Sequence, residues 1–299
     1  MKELGGIIPI LATPFTEQGE LDKEGFLRLV EESIRDGVHG LAMFGLGSEY
    51  YKLTDVERSC LTNLLVRQAK GRVPVIISIT HHAQHVAVRQ AHEAVSRGAD
   101  TLMIMPPFFL GPSEDTIMRH IETIAEEVEA PLIVQYAPLQ TGKIICPESF
   151  ANLHRAHPNV THVKVDMVPS GSTITALDQA SGGSLRSIVG YMGLHLPDDK
   201  ARGVAGCAPS GSLGRAFVQL WNMLCQGGDE GWTFHQQLLP LLNFMMQSVE
   251  MLIACEKLLL VRRGIISSAY CREPAFHLDS FQLAELERHA KKLTRVLPE

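Results

Sequence analysis

The amino-acid sequence predicts an α/β protein, a (β/α)8 TIM barrel followed by a C-terminal helical extension. Short apolar runs alternate with longer helical patterns through residues 1–226, which indicates a parallel sheet with helices between its strands. Eight β–α units of about 25 to 30 residues each fit the closed barrel. An open doubly wound sheet is the alternative, but no Gly-x-Gly-x-x-Gly follows a strand to support it.

Eight short apolar runs have the length of buried strands and are bounded by Gly, Pro or polar residues. They cover residues 6–12, 40–44, 75–79, 101–105, 132–135, 160–165, 187–189 and 204–207. The first run contains Pro9 and is too short for the apolar region of a signal peptide, so we interpret it as a strand.

The segments between these runs carry apolar residues at helical spacing. Thr54 is followed three residues later by Glu57, the capping-box pattern of a helix start, and Pro147 suits a first helical turn. The predicted helices cover residues 22–36, 54–70, 82–97, 113–129, 147–156, 172–180, 198–202 and 212–225.

We assign residues 1–226 to a catalytic barrel and residues 227–299 to a helical extension. After Gly227-Gly228 the strand signals stop, and two long helical patterns follow at 232–263 and 280–296. The Leu- and Met-rich stretch 244–260 is typical of a buried helix and does not indicate a cofactor site.

Composition excludes several classes of function. The 299 residues are 45% hydrophobic and 20% charged, which is ordinary for a globular protein. A net charge of −6 offers no basic surface to nucleic acid, and no apolar stretch approaches the roughly 20 residues of a membrane helix. The six cysteines are scattered, as in reduced proteins. We therefore expect a cytoplasmic protein that binds neither nucleic acid nor membranes.

Lys164 and Tyr136 end the sixth and fifth predicted strands, and active sites of such barrels lie at these carboxyl ends. Burial lowers the pKa of a lysine, and its neutral amine attacks a ketone to form a Schiff base. A tyrosine hydroxyl on the neighbouring strand, about 4.8 Å away, would move the protons. The alternatives are a surface lysine and a core aromatic residue.

Other strand ends supply further candidates. Asp166 lies two residues after Lys164 on the same strand face, where it tunes the lysine, touches substrate or is a solvated loop residue. Tyr191 follows the seventh strand as a specificity residue, and we interpret Glu49 as structural. Three histidines follow the third strand: His81, His82 and His85. No carboxylate stands near them in the sequence, so we expect no metal site.

Several short motifs, in their order and spacing, resemble one known family. They are Gly6–Phe15 with Asp22 downstream, 45–58, 98–112, Tyr136, Lys164 and Arg272-Glu-Pro274. Together they resemble the dihydrodipicolinate synthase / N-acetylneuraminate lyase family of pyruvate-dependent class I aldolases. The resemblance covers nearly the whole chain.

The resemblance implies a lyase in which Lys164 forms an imine with pyruvate or another 2-oxo acid and Tyr136 shuttles protons. It also implies a homotetramer that needs neither metal nor cofactor. Two alternatives remain open. One is the dehydration of a sugar acid through the same imine, and the other is a non-catalytic barrel that binds a 2-oxo acid.

The loops that hold the substrates depart from the family pattern. Where the family has loop hydroxyls, this chain reads Gly45-Leu-Gly-Ser-Glu49, so we expect the N–H groups of Gly47 and Ser48, with the Ser48 hydroxyl, to hold a carboxylate. Phe109 stands near the place of a relay tyrosine, and Gln140 near that of a carboxylate-binding arginine. We therefore expect these residues to bind substrate, and we expect no dihydrodipicolinate synthesis.

Overall fold

A computed structural model describes residues 4–296, so the first three and last three residues of the predicted domain ranges lie outside it. The chain divides into two compact units. The first contains the segment up to Gly5 together with Pro74–Ala208, and the second contains Gly6–Val73 and the chain from Pro209 onward.

Within residues 4–296 the strands agree with the predicted runs to within about two residues, except at the first. They are β1 (Gly6–Ile7), β2 (Leu41–Met43), β3 (Val75–Ser78), β4 (Thr101–Ile104), β5 (Leu132–Tyr136), β6 (Val160–Val165), β7 (Arg186–Val189) and β8 (Gly206–Cys207). The first strand is shorter than predicted because Pro9 has no N–H to donate to a neighbouring strand.

The helices also follow the predicted order. They are α1 (Lys23–Arg35), α2 (Asp55–Ala69), α3 (Gln84–Ser96), α4 (Glu114–Glu127), α5 (Pro138–Thr141), α6 (Pro147–Ala156), α7 (Gly171–Ser181), α8 (Leu196–Ala201), α9 (Gly214–Gln226), α10 (Glu230–Met245), α11 (Val249–Arg262) and α12 (Ser280–Val296). The short helix α5 was not predicted. The helical pattern predicted over 232–263 is present as two helices, because α10 ends at Met245 and Ser248, whose side chain accepts from the Met251 N–H, caps α11.

The first unit is built on a parallel sheet. Strands β3 to β8 pair in sequence order, each with the next, and all of them run in the same direction. Their residues are almost entirely buried, as expected of parallel strands covered on both faces. The carboxyl ends of these strands therefore meet at one edge, where polar side chains can be brought together.

The second unit contains β1, β2, the helices α1 and α2, and the C-terminal helices α9 to α12. Ile10 forms parallel bridges with Ala42 and Ser210. The predicted capping box begins α2: Thr54 accepts from the Glu57 N–H, and the Glu57 side chain accepts from the Thr54 N–H. Glu57 also pairs with Arg272, whose hydrogen bonds lower the pKa of Glu57 to about 2.

In the described part of the chain, no single helix is long and apolar enough to cross a membrane. Helices α10 and α11 reach that length and composition only as a pair, and they are bent by 115° at the break between them.

Candidate active site

Lys164 and Asp166 form a buried ion pair at the carboxyl end of β6. Lys164 is 5% exposed and Asp166 6%, and the lysine Nζ contacts the carboxylate Oδ2. Residues two apart on a strand share a face, so the sequence spacing itself brings the two side chains together. Each charge alone would be costly to bury, and the pairing offsets part of that cost.

Gln135 completes this group from the neighbouring strand. Gln135 is the register partner of Lys164 in the β5–β6 ladder, and its Nε2 donates to Asp166 Oδ2 at 2.6 Å. Sequence reasoning missed this residue. The signal for it was a lone amide inside the otherwise apolar run of β5.

Gly190, directly after β7, gives the ion pair its space. A Cβ atom at this position would lie 1.6 Å from Asp166 Oδ1 and 2.8 Å from Lys164 Nζ. Real Cβ atoms do not approach that closely, so any other residue would displace the carboxylate. The absent side chain at position 190 is therefore part of the site.

Tyr136 ends β5, and its register partner on β6 is Val165, the residue after Lys164. Its hydroxyl accepts from the Ile145 N–H at 3.4 Å, and its ring packs edge-on against Phe150 with ring centroids 5.3 Å apart. Burial raises the pKa of Tyr136, while the hydrogen bond from Ile145 opposes that rise. No hydrogen bond joins Tyr136 to Lys164 among the described residues, because the neighbouring Gln135 occupies the face of β5 that Lys164 shares.

Three other predicted residues follow strands of the same sheet. Phe109, after β4, is 80% exposed. Gln140 lies in α5, and its buried Oε1 has no hydrogen-bond partner among the described residues. Tyr191 begins a 3₁₀ turn after β7 with φ of +50°, an uncommon conformation for a residue with a side chain. Within the same residues, none of these three hydrogen-bonds to Lys164.

The histidines after β3 make local contacts. His81 Nδ1 accepts from the Ala83 N–H at 2.9 Å, and the His82 ring packs edge-on against Phe108. Across residues 4–296 no group of three or more His, Cys, Asp or Glu side chains is placed to hold a metal ion.

In the second unit, Gly47 and Ser48 belong to the 3₁₀ turn Leu46–Ser48. The Ser48 hydroxyl donates to Leu11 O at 2.6 Å and accepts from the Phe44 N–H at 3.1 Å, and the Ser48 N–H donates to Gly45 O. With these partners, the hydroxyl and N–H are engaged inside the loop. The expected contact of Gly47 and Ser48 with a carboxylate stays a prediction, and a carboxylate at Ser48 would have to displace one of these partners.

The same loop is held by a second buried ion pair. Glu49 adopts a left-handed conformation with φ of +54°, and its Oε1 lies 2.5 Å from Nζ of Lys257 on α11. Both side chains are fully buried, and Lys257 also donates to Tyr270 O at 2.8 Å. Burial lowers the pKa of Lys257, while the charge of Glu49 opposes that change.

Glu256, the residue before Lys257, holds another loop of the second unit. Its carboxylate accepts from the Ser212 N–H at 2.8 Å and from the Ser212 hydroxyl, in the turn that follows β8. Burial raises the pKa of Glu256, and the hydrogen bonds from Ser212 oppose that rise. Sequence reasoning missed Glu256 and Lys257. The signal for them was two adjacent opposite charges inside the Leu- and Met-rich stretch 244–260.

The sequence profile described as the dihydrodipicolinate synthetase family matches residues 3–293, and the chain belongs to this family. The predicted resemblance is therefore confirmed, and with it the (β/α)8 barrel with C-terminal helices. A solved prophage protein of the dihydrodipicolinic acid synthase family from E. coli K12, in complex with pyruvate, is similar with a TM-score of 0.90 at 25% identity. That alignment covers 97% of this chain and 99% of the other.

Two named relatives show the range of activities among similar sequences. The 4-hydroxy-tetrahydrodipicolinate synthase of Salinibacter ruber is 35% identical over 159 residues, so the match spans about half of either chain, 53% of each. The L-2-keto-3-deoxyarabonate dehydratase of Azospirillum brasilense is 28% identical over 297 residues, 96% of this chain and 94% of the relative. Both names fit the predicted lyase class.

Replacing Lys257 by Met removes the buried partner of Glu49 and leaves only Lys52, 3.0 Å from its other oxygen. We expect the free energy of unfolding to fall by about 3 kcal/mol, the lower end of the cost of breaking a buried pair. Urea denaturation measures this change. The double variant Lys257→Met/Glu49→Gln should recover much of the loss, and a single variant within about 1 kcal/mol of wild type would contradict the pairing.

Replacing Ser48 by Ala leaves Leu11 O and the Phe44 N–H without their buried partner. The expected cost is about 1–3 kcal/mol of unfolding free energy, measured by the same denaturation. Ser96→Ala, on the exposed face of α3, is the matched control and should change stability by less than about 0.5 kcal/mol. Equal effects of the two substitutions would show that the Ser48 hydroxyl does not support the loop.

Proposed function

We propose that this protein is a Schiff-base-forming lyase that acts on pyruvate or another 2-oxo acid through an imine at Lys164. The observation that carries the proposal is a buried lysine at the carboxyl end of β6, held by a carboxylate and facing a glycine. Membership of the family, and the solved relative in complex with pyruvate, support the class of substrate.

The chemistry follows from the amine. A neutral Lys164 amine attacks the ketone carbon of the 2-oxo acid, and loss of water leaves a protonated imine. This cation draws electrons from the neighbouring carbon, so a carbon–carbon bond at that position can break or form. The proposed reaction is therefore aldol cleavage or condensation, and it requires no metal.

Dehydration of a sugar acid through the same imine is the second candidate. The observation that favours it is the match to a sugar-acid dehydratase over 94% of that protein's length, whereas the match to a synthase spans 53% of the synthase. Loss of hydroxide next to the enamine uses the same lysine, so both reactions share the first step.

We propose that Phe109, Gln140 and Tyr191 contribute to substrate binding, with Asp166 beside the reacting carbon. The unpartnered Oε1 of Gln140 supports this role, because a buried acceptor lacks only a donor to become a ligand contact. A homotetramer stays a proposal that rests on the family resemblance, and a cytoplasmic location stays one that rests on the scattered cysteines. A non-catalytic barrel that binds a 2-oxo acid is the remaining alternative.

Borohydride reduction in the presence of pyruvate is expected to attach the reduced imine to Lys164, as read by intact mass and peptide mapping. Lys257 is an internal control, because it is fully buried and bound to both Glu49 and the Tyr270 carbonyl, and it should stay unmodified. A Lys164→Arg variant should give no adduct. If no member of a panel of 2-oxo acids modifies the wild-type chain, both enzyme proposals fail.

A further inference from the structure

Imine formation at Lys164 needs a group that moves protons, and the structure puts a carboxylate in that position. An ammonium has no lone pair with which to attack, so Lys164 must first lose a proton. Its Nζ contacts Asp166 Oδ2 directly. The Tyr136 hydroxyl, the group that the family resemblance implies, accepts from the Ile145 N–H, which leaves its own proton free to donate.

The surroundings of Asp166 fix its orientation. Gln135 Nε2 donates to Oδ2 at 2.6 Å, so Lys164 and Gln135 share one oxygen of the carboxylate. The other oxygen, Oδ1, occupies the space that a side chain at Gly190 would fill. Asp166 is 6% exposed, so water competes little for these contacts.

We propose that Asp166 is a further catalytic group that transfers protons during imine formation at Lys164, and that Gln135 is the positioning residue that holds it. This inference rests on the proposed function, because it requires Lys164 to form an imine. It adds a carboxylate directly after β6, two residues from the nucleophile, to the hydroxyl on β5 that the family resemblance implies.

The steps balance as follows. Asp166 takes a proton from the Lys164 ammonium, and the amine lone pair forms the C–N bond while the carbonyl π electrons move to oxygen. Protonated Asp166 returns that proton to the alkoxide. The carboxylate then takes a second proton from nitrogen and gives it to the hydroxyl, which leaves as water while the nitrogen lone pair forms the C=N bond. Two protons pass from nitrogen to oxygen, and the carboxylate ends unchanged.

The contact between Lys164 and Asp166 is also compatible with the opposite effect, a lysine that does not form an imine. A carboxylate that only stabilises the ammonium would keep Lys164 protonated and idle, as in a non-catalytic barrel. The two cases predict opposite effects when the charge of Asp166 is removed, so one substitution separates them.

The experiment follows the rate of borohydride-trapped adduct with pyruvate in the full chain, for the wild type, Asp166→Asn, Gln135→Met and Tyr136→Phe. Asp166→Asn should slow adduct formation about 100-fold or more, as expected for loss of a general acid–base group. Tyr136→Phe removes only the hydroxyl, and it should slow adduct formation less than Asp166→Asn does. Asp229→Asn, remote in sequence and exposed, is the matched charge control and should match the wild type.

Gln135→Met tests positioning separately from binding. The rate at saturating pyruvate should fall, while the half-saturating pyruvate concentration stays that of the wild type. A change in the half-saturating concentration alone would overturn the role of Gln135.

Adduct formation by Asp166→Asn at or above the wild-type rate would overturn the inference, as would a 100-fold loss in Tyr136→Phe alone. If Asp166→Asn does not fold, Asp166→Glu keeps the charge but moves it, and it should slow the rate about 10-fold. A wild-type rate in Asp166→Glu would equally overturn the inference. Absence of adduct in the wild-type chain would instead reject the proposed function itself.

Discussion

The contact between Lys164 and Asp166 is the constraint on which the rest of the candidate site depends. Two opposite charges lie in the interior of a parallel sheet, where breaking such a pair costs about 3–5 kcal/mol. Gln135 satisfies the same carboxylate oxygen, and Gly190 leaves the room that the carboxylate fills. Each of these neighbours is therefore explained by the need to bury the pair.

The second unit also contains buried charged residues with partners, and these hold loops in place. Adjacent charges on α11 hold two loops: Lys257 binds Glu49 after β2, and Glu256 binds Ser212 after β8. Each of these buried charges has a protein partner, as Lys164 has Asp166, but Lys164 also faces a residue without a side chain. Burial alone does not distinguish a nucleophile from a structural lysine, and the difference lies in what surrounds the amine.

Much of the fold could be predicted because its signals are local. Strand runs, the capping box at Thr54 and the helix start at Pro147 depend on neighbours in the sequence, and the structure has them where they were predicted. The early end of β1 and the break between α10 and α11 depend on a missing N–H at Pro9 and on the cap at Ser248. Each of these boundaries depends on a single residue, which the apolar pattern of the sequence does not mark.

The site was predictable only in part. The period of a strand places Asp166 on the face of Lys164, but it does not tell which of two neighbours, Gln135 or Tyr136, faces the same way across β5. That choice depends on the register of the ladder, which the sequence leaves open. The contacts of the Ser48 hydroxyl could not be foreseen either, because they depend on how its turn packs against Leu11 and Phe44.

A crystal structure of the full chain soaked with pyruvate would test the reaction centre directly. We predict continuous density from Lys164 Nζ to the second carbon of pyruvate, with Asp166 within hydrogen-bond distance of the nitrogen. Pyruvate bound without a covalent link, or linked to another lysine such as Lys257, would contradict the assignment of Lys164 as the nucleophile.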